Sequence, residues 1–266
     1  QKTAYEIKEC DWSSDVCSSD LASGLRTGMT NTDGVYVNGM QLDTGDCSGP
    51  RSARSVLMHP DVDAAVLETA RGGMLREGLA FDRCQVAVVT NIGAGDHLGL
   101  NYISTVEDLA VLKRVIVQNV SPQGIAVLNA NDPMVAAMAP NCPGQVTFFA
   151  IDPHHPVLAT HRAQGKRVLY VQDGHIVAQE GASQVRIALA EVPLTQNGAI
   201  GFQVENTLAS IGAAWAVGLS WPAICQGLAT FVNDAQAVPG RFNLFSFDRK
   251  STRLNSSHIP LSRMPS

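Results

Sequence analysis

The chain has 266 residues, a formal net charge of -5 and a pI near 5.8. That balance leaves no basic footprint for nucleic acid or acidic lipid, and no apolar run approaches the ~20 residues needed to cross a bilayer. Of the six cysteines, Cys10 and Cys17 lie in the first 21 residues, and Cys47, Cys84, Cys142 and Cys225 are scattered without a C-x-x-C pair, which fits reduced thiols in a cytoplasmic protein.

Both ends read differently from the middle. Residues 1–21, with Asp11-Trp12-Ser13-Ser14-Asp15-Val16-Cys17-Ser18-Ser19-Asp20-Leu21, resemble translated sequencing-adapter DNA, as do residues 248–266, with Arg249-Lys250-Ser251-Thr252-Arg253-Leu254-Asn255-Ser256-Ser257-His258. The bland alternative is an ordinary Ser-rich disordered terminus. The natural frame is expected over about 22–247, which is enough for one sizeable domain.

Within that core, Val35-Tyr36-Val37, Asn38-Gly39 and Met40-Gln41-Leu42 predict a hairpin, because Asn-Gly supplies the positive φ angles of a type I′ turn. A short helix is expected over 52–58. Strands and helices then alternate: strand 64–68, strand 86–91, helix 105–119, strand 125–129, helix 133–139, strand 146–151. Such alternation predicts an α/β fold, a mostly parallel Rossmann-like sheet with helices on both faces. Past Pro156, Val168 to Val171, Asp173-Gly174 and Ile176 to Ala178 predict a second hairpin, and 185–189 a third strand, together a small antiparallel sheet appended to the main one. Helices are expected near 204–218 and 221–232, the second with Pro222 in its first turn.

Two stretches carry chemistry: Leu67-Glu68-Thr69-Ala70-Arg71-Gly72-Gly73 and Thr90-Asn91-Ile92-Gly93-Ala94-Gly95-Asp96-His97. Each begins where a short apolar run ends, and ligands of open α/β sheets bind beyond the carboxyl ends of the strands. Glu68 and Asp96-His97 are therefore expected in one crevice, with Gly72-Gly73 turning the backbone tightly after Glu68. A carboxylate at Glu68 suits Mg²⁺, which prefers oxygen ligands; the plain reading is a helix N-terminal acid or a solvated loop residue. His97 is a poor match for Mg²⁺ by ligand type, and a lone His is more often structural. Asn91 reads as a cap of the turn that follows it.

Thr105 and Asp108 form a capping box opening helix 105–119, whose buried stripe runs Leu109, Leu112, Ile116 and Val120. Lys113 lies at the edge of that stripe. Snorkelling to solvent is its ordinary explanation; the sharper one is a lysine held inside a site. Asn206 reads either as a helix cap or as an adenine-recognising carboxamide. Pro239-Gly240-Arg241 is a turn presenting an arginine suited to a phosphate or acyl-phosphate. His154, His155 and His161 read as loop residues.

Taken in order, several stretches resemble the Mur ligase family, and within it the cyanophycin branch. They are Thr30-Asn31-Thr32-Asp33-Gly34-Val35-Tyr36, Gly45-Asp46-Cys47-Ser48-Gly49-Pro50, Leu67 to Gly73, Gly78-Leu79-Ala80-Phe81-Asp82, Asp96-His97-Leu98-Gly99, Asn129-Ala130-Asn131-Asp132-Pro133 and Pro239-Gly240-Arg241-Phe242-Asn243. The resemblance implies ATP and Mg²⁺ as cofactors. It implies Glu68 on the Mg²⁺ that bridges the β- and γ-phosphates, His97 on a second metal, and Lys113 at the position of a lysine carbamylated by CO₂. It implies Asn206 and Asn91 on the nucleotide side, Arg241 on the γ-phosphate, and Thr30, Asp33 and Arg71 toward the acceptor.

The implied chemistry is amide ligation through an acyl-phosphate, adding arginine to the aspartate side chains of a polymer, with no nucleic-acid or membrane partner and with a homo-oligomer as a possible assembly. Other Mur-type ligases, of peptidoglycan or folylpolyglutamate type, and a non-catalytic nucleotide-binding-like domain are the alternatives. A dehydrogenase is disfavoured, since no G-x-G-x-x-G follows a strand. The resemblance places residues 22–240 as the central domain and 241–247 as the start of a C-terminal domain. The family's G-x-x-G-K-[ST] loop, expected just before Ala22, is absent from the sequence, and Asn31 stands where Ser or Thr is expected.

Overall fold

The computed structural model describes residues 3–7, 24–92, 98–99, 103–230, 244–247 and 250–253, with side chains over 24–92, 98–99 and 103–230. In chain order the elements are β1 (Thr3–Ile7), β2 (Thr27–Asn31), β3 (Gly34–Val37), β4 (Met40–Thr44), α1 (Pro50–Met58), β5 (Ala64–Glu68), α2 (Arg71–Glu77), β6 (Cys84–Val89), α3 (Val106–Gln118), β7 (Val120–Asn129) and α4 (Pro133–Ala136). There follow β8 (Gln145–Phe149), α5 (Pro156–Ala163), β9 (Val168–Gln172), β10 (His175–Glu180), β11 (Ser183–Ala188), α6 (Gly201–Ala216), α7 (Trp221–Thr230), β12 (Leu244–Phe247) and β13 (Lys250–Arg253).

One 11-stranded sheet organises the chain, in the order β11-β10-β9-β8-β7-β6-β1-β5-β2-β3-β4. From β2 through β5, β1, β6, β7 and β8 to β9, every neighbouring pair is parallel. Alternation along each strand divides the core. Val86 and Val88 of β6 and Ile125 and Val127 of β7 face a layer containing Leu208 and Ile211 of α6 and Ile224 of α7. Their neighbours Ala87, Val89, Ala126 and Leu128 face the opposite layer, with Leu109 and Ile116 of α3, Val135 of α4 and Leu158 of α5. Each such side chain, fully buried, contributes roughly 1.5–3 kcal/mol for a residue the size of Val or Leu. This two-faced burial explains why the strands read as continuous apolar runs.

The expected α/β architecture is present, though the strand expected over 86–91 ends at Val89 and the helix expected over 133–139 ends at Ala136, and three further details differ. The hairpin β9–β10 and strand β11 extend the main sheet, because β9 pairs parallel with β8 through Phe148–Val168 and Phe149–Leu169. Gly72-Gly73 is not a tight turn but part of the helix α2. A Cβ at Gly73 would lie 2.8 Å from Pro50 Cδ and 3.2 Å from Gly49 Cα, so this glycine lets α2 approach the start of α1. Finally, His161 belongs to α5 rather than to a loop. The two predicted Gly turns stand: φ is 50° at Asn38 and 79° at Gly39, and 50° at Asp173 and 71° at Gly174.

Buried His161 lies edge-on to Phe148, and its Nε2 is 2.8 Å from the Val146 carbonyl. Burial holds the imidazole below its ordinary 6.5, with the nearby Lys166 charge acting in the same direction. The unfolded chain therefore binds more protons than the native one just below pH 6.5, and the stability is complete above that value. It is lost as pH falls through the lower native value. The urea midpoint is expected to fall between pH 7.5 and 5.5, and His161→Gln to flatten that slope.

The capping box on α3 is complete: Asp108 N–H donates to Thr105 Oγ1 at 3.1 Å, and Thr105 N–H to Asp108 Oδ2 at 3.1 Å. A side-chain hydrogen bond with Thr105, and after it the backbone N–H groups of Ser104 and Thr105, hold the Asp108 carboxyl below its ordinary value. Thr105→Ala is expected to cost about 1 kcal/mol, read by urea titration at neutral pH.

Candidate functional site

The parallel strands end together along one crest. The chain leaves β1 toward β2 and β5 on one side and reaches β6 on the other, so the strand order reverses at β1. The carboxyl end of β1 is therefore the topological switch point, where open α/β sheets take their ligands. Glu68, the last residue of β5, stands at one flank of it, and Asn91, two residues beyond β6, at the other.

Glu68 is buried, and its Oε2 accepts the Thr32 N–H at 3.1 Å. That bond ties β5 to the turn after β2. The turn itself is shaped by Asn31, whose Oδ1 accepts from Asp33 N–H and Gly34 N–H, each at 2.9 Å. A carboxamide here does what an Asx turn requires, which gives a physical reason for asparagine at this position. Thr30, on the neighbouring strand, is fully buried, and among the described residues its Oγ1 has no hydrogen-bond partner. Asp33 lies in the turn and Arg71 opens α2 directly after the Glu68-Thr69-Ala70 segment. The carbonyl of Ser48 accepts from Ala70 N–H at 2.9 Å, joining the segment before α1 to this same edge.

On the other flank, Lys113 does not snorkel. It is 1 % exposed, and its Nζ donates to the Asn91 carbonyl at 3.0 Å. The amine thus reaches the strand-end crest from the middle of α3. Asn91 itself keeps its side chain exposed. Asp96, His97 and Arg241 lie outside the described residues.

Farther along the crest, Asn206 is not the cap of its helix: it sits inside α6, whose N-cap is Ile200. Its Nδ2 donates to Gln203 Oε1 at 3.1 Å, and both side chains are buried. The first turn of α6 is tied to the end of β7 by Asn131 Nδ2, which donates to Glu205 Oε1 at 3.0 Å. Asp132 caps α4 through Oδ1, which accepts from Met134 N–H at 2.9 Å and Val135 N–H at 3.2 Å. The sequence pattern Asp-Pro announces that cap. It gives no sign that the other oxygen, Oδ2, accepts from Ile92 N–H at 2.7 Å, nor that Gln203 pairs with Asn206.

A cavity of about 580 Å³ lies at the opposite end of β8 and β9, bordered by His161, Lys166, Arg167 and Glu180. It contains none of the predicted site residues.

The residues present fit the metal better than the phosphates. Glu68 offers the hard oxygen donor that Mg²⁺ takes. The phosphates of a nucleotide need backbone N–H groups in a Gly-rich loop after the switch-point strand. After β1 the sequence runs Lys8-Glu9-Cys10-Asp11, has no glycine before Gly24, and carries Glu9, Asp11, Asp15 and Asp20.

The profile of the Mur ligase middle domain matches residues 16–214, and the chain belongs to that family. Among curated relatives, it is 44% identical over 240 residues to the cyanophycin synthetase of a Synechocystis strain, a match that covers 90% of this chain and 27% of that protein. It is 31% identical over 183 residues to the UDP-N-acetylmuramoylalanine–D-glutamate ligase of Desulfitobacterium hafniense, covering 67% of this chain and 37% of the ligase. The chain thus spans about a quarter of the length of the cyanophycin synthetases it matches, 27% in each case.

Solved structures agree on the fold. A UDP-N-acetylmuramoyl-L-alanyl-D-glutamate–2,6-diaminopimelate ligase superposes with a TM-score of 0.68 at 16% identity, over 95% of this chain and 50% of that one. A pseudomurein peptide ligase type C from Methanothermus fervidus gives 0.64 at 17% identity, over 96% and 53%.

Proposed function

We propose that the chain is the central-domain portion of an ATP-dependent amide ligase of the cyanophycin synthetase kind, one that joins arginine to aspartate side chains of a polymer through an acyl-phosphate. The observation that carries this reading is the strand-end crest, where Glu68, Asn91 with Lys113, and Asn206 flank the switch point of a Mur-type sheet. The identity to cyanophycin synthetases over most of the chain supports that branch over peptidoglycan ligases.

In this reading Glu68 holds Mg²⁺, Asn206 and Asn91 lie on the nucleotide side, and Thr30, Asp33 and Arg71 lie toward the acceptor. His97 and Arg241 keep the roles the family resemblance implies for them; Lys113 stands at the position of the carbamylated lysine, and its contact to the Asn91 carbonyl is that of the unmodified amine. Residues 1–21 and 248–266 are read as adapter-derived, and β1, within the first of them, pairs with β5 and β6. As it stands the chain is expected to be inactive, because the sequence given contains no G-x-x-G-K-[ST] loop.

Two experiments test this. Long-read sequencing of the source DNA across codons 21 and 248 is expected to show an uninterrupted frame encoding G-x-x-G-K-[ST] shortly before Ala22 and further sequence after Phe247. The protein of that frame is expected to release phosphate from ATP only with both arginine and an aspartate polymer present, and Glu68→Ala to slow it on the order of 10²-fold or more. Turnover with a different amine and acceptor would move the assignment to another Mur-type ligase. Absence of Mg²⁺-ATP binding in the restored frame would leave a non-catalytic domain.

A further inference from the structure

One peptide group in the crest is gripped from both sides by side chains of opposite charge. The carbonyl of Asn91 accepts from Lys113 Nζ at 3.0 Å, and the N–H of Ile92, the other half of that peptide, donates to Asp132 Oδ2 at 2.7 Å. The described chain has no cis peptide, so this C=O and N–H point in opposite directions across one plane. The ammonium stands at the negative end of the peptide dipole and the carboxylate at the positive end. Both are charge-assisted bonds, the stronger kind, and rotating the plane loses both together.

Neither grip depends on the strand it holds. Lys113 is 1 % exposed in α3 and comes from 22 residues downstream; Asp132 comes from 40 residues downstream of Ile92. The other oxygen of Asp132 is fixed by the first turn of α4. A residue serving only as a helix cap needs one acceptor oxygen; here the second oxygen reaches across to β6.

We propose that Asp132 is a positioning residue: together with Lys113 it fixes the Asn91–Ile92 peptide plane and so sets how Asn91 is presented at the switch point. The inference rests on reading Asn91 as a nucleotide-side residue, but its test uses no nucleotide, so the two can fail separately.

The test uses the full chain and two variants. Asp132→Ser keeps a good cap but is too short to reach Ile92, and Asp132→Asn keeps one acceptor oxygen for two tasks. Amide exchange is followed at single residues by ¹⁵N NMR, with the Asn91 carboxamide resonances as the spectroscopic marker of its presentation. In both variants Ile92 is expected to exchange at least tenfold faster and the Asn91 carboxamide signals to shift, while the capped amide of Val135 stays protected in Asp132→Ser. Lys113→Met is expected to shift the same Asn91 signals, and to add little when combined with Asp132→Ser, because one plane is released once. Unchanged Ile92 exchange in both variants overturns the proposal. So does faster exchange with unmoved Asn91 signals, or full additivity of the Lys113 and Asp132 effects. If one Asp132 variant fails to fold, the other, read against Lys113→Met, carries the same decision.

Discussion

Lys113→Ala is expected to lower the unfolding free energy by about 3 kcal/mol or more, seen as a fall in the urea midpoint. Lys113 is among the largest fully buried side chains, so truncation leaves a void in the α3 layer. It also removes the donor to the Asn91 carbonyl. The Lys113–Asn91 bond is part-buried, and a carbonyl stripped of its partner there costs up to about 1–3 kcal/mol, and the void adds to that. Lys113→Met separates the two contributions, since it preserves most of the volume and lacks the donor; its loss is expected to be about 1–2 kcal/mol. Equal losses in Met and Ala would contradict this division. A variant as stable as the parent would show that Nζ contributes nothing to holding the end of β6.

Gly212→Leu is expected to be destabilising by about 3 kcal/mol through overpacking. A Cβ at Gly212 would lie 2.6 Å from Val127 Cγ1 and 3.1 Å from Leu169 Cδ1, and both of those side chains are fully buried in β7 and β9. Neither neighbour is the free end of a flexible side chain, so α6 must move off the sheet to admit any side chain there. Gly212→Ala is expected to cost less, about 1 kcal/mol, since a single carbon needs a smaller shift. Because α6 also carries Asn206 and Glu205, the same displacement should weaken the Asn131–Glu205 bond. Urea titration measures the loss, and the Asn131 carboxamide resonances report the displacement. A Leu variant that unfolds at the parent's midpoint would mean the α6–sheet contact is looser than these distances imply.

Much of the framework is written locally. The runs 64–68 and 86–89 need only their own composition and flanking residues to be buried strands, and both are. Asn38-Gly39 and Asp173-Gly174 specify their turns because few residue types accept those φ values. The capping box of α3 involves residues three apart, well within the reach of a sequence pattern. Glu68 at a strand end follows in the same way, once the strand is found. The helix α2 was hidden because two consecutive glycines argue against a helix; contact with Pro50, in a different element, is what makes Gly73 favourable there.

The sequence by itself thus determined the alternation of strands and helices and the place of Glu68 at a strand end and of Asn91 just past one, because each depends on neighbours a few residues apart, and the family, from several such stretches taken in order. Only the tertiary structure decided which way Lys113 points, whether Asn206 caps its helix or lies within it, and that the β9–β11 strands continue the main sheet. It alone shows Asp132 reaching Ile92. Those outcomes turn on groups tens of residues apart, and whether a side chain at the edge of an apolar stripe turns inward depends on what the fold brings against it. For Lys113 that partner is a carbonyl at the end of β6, a group no local pattern contains.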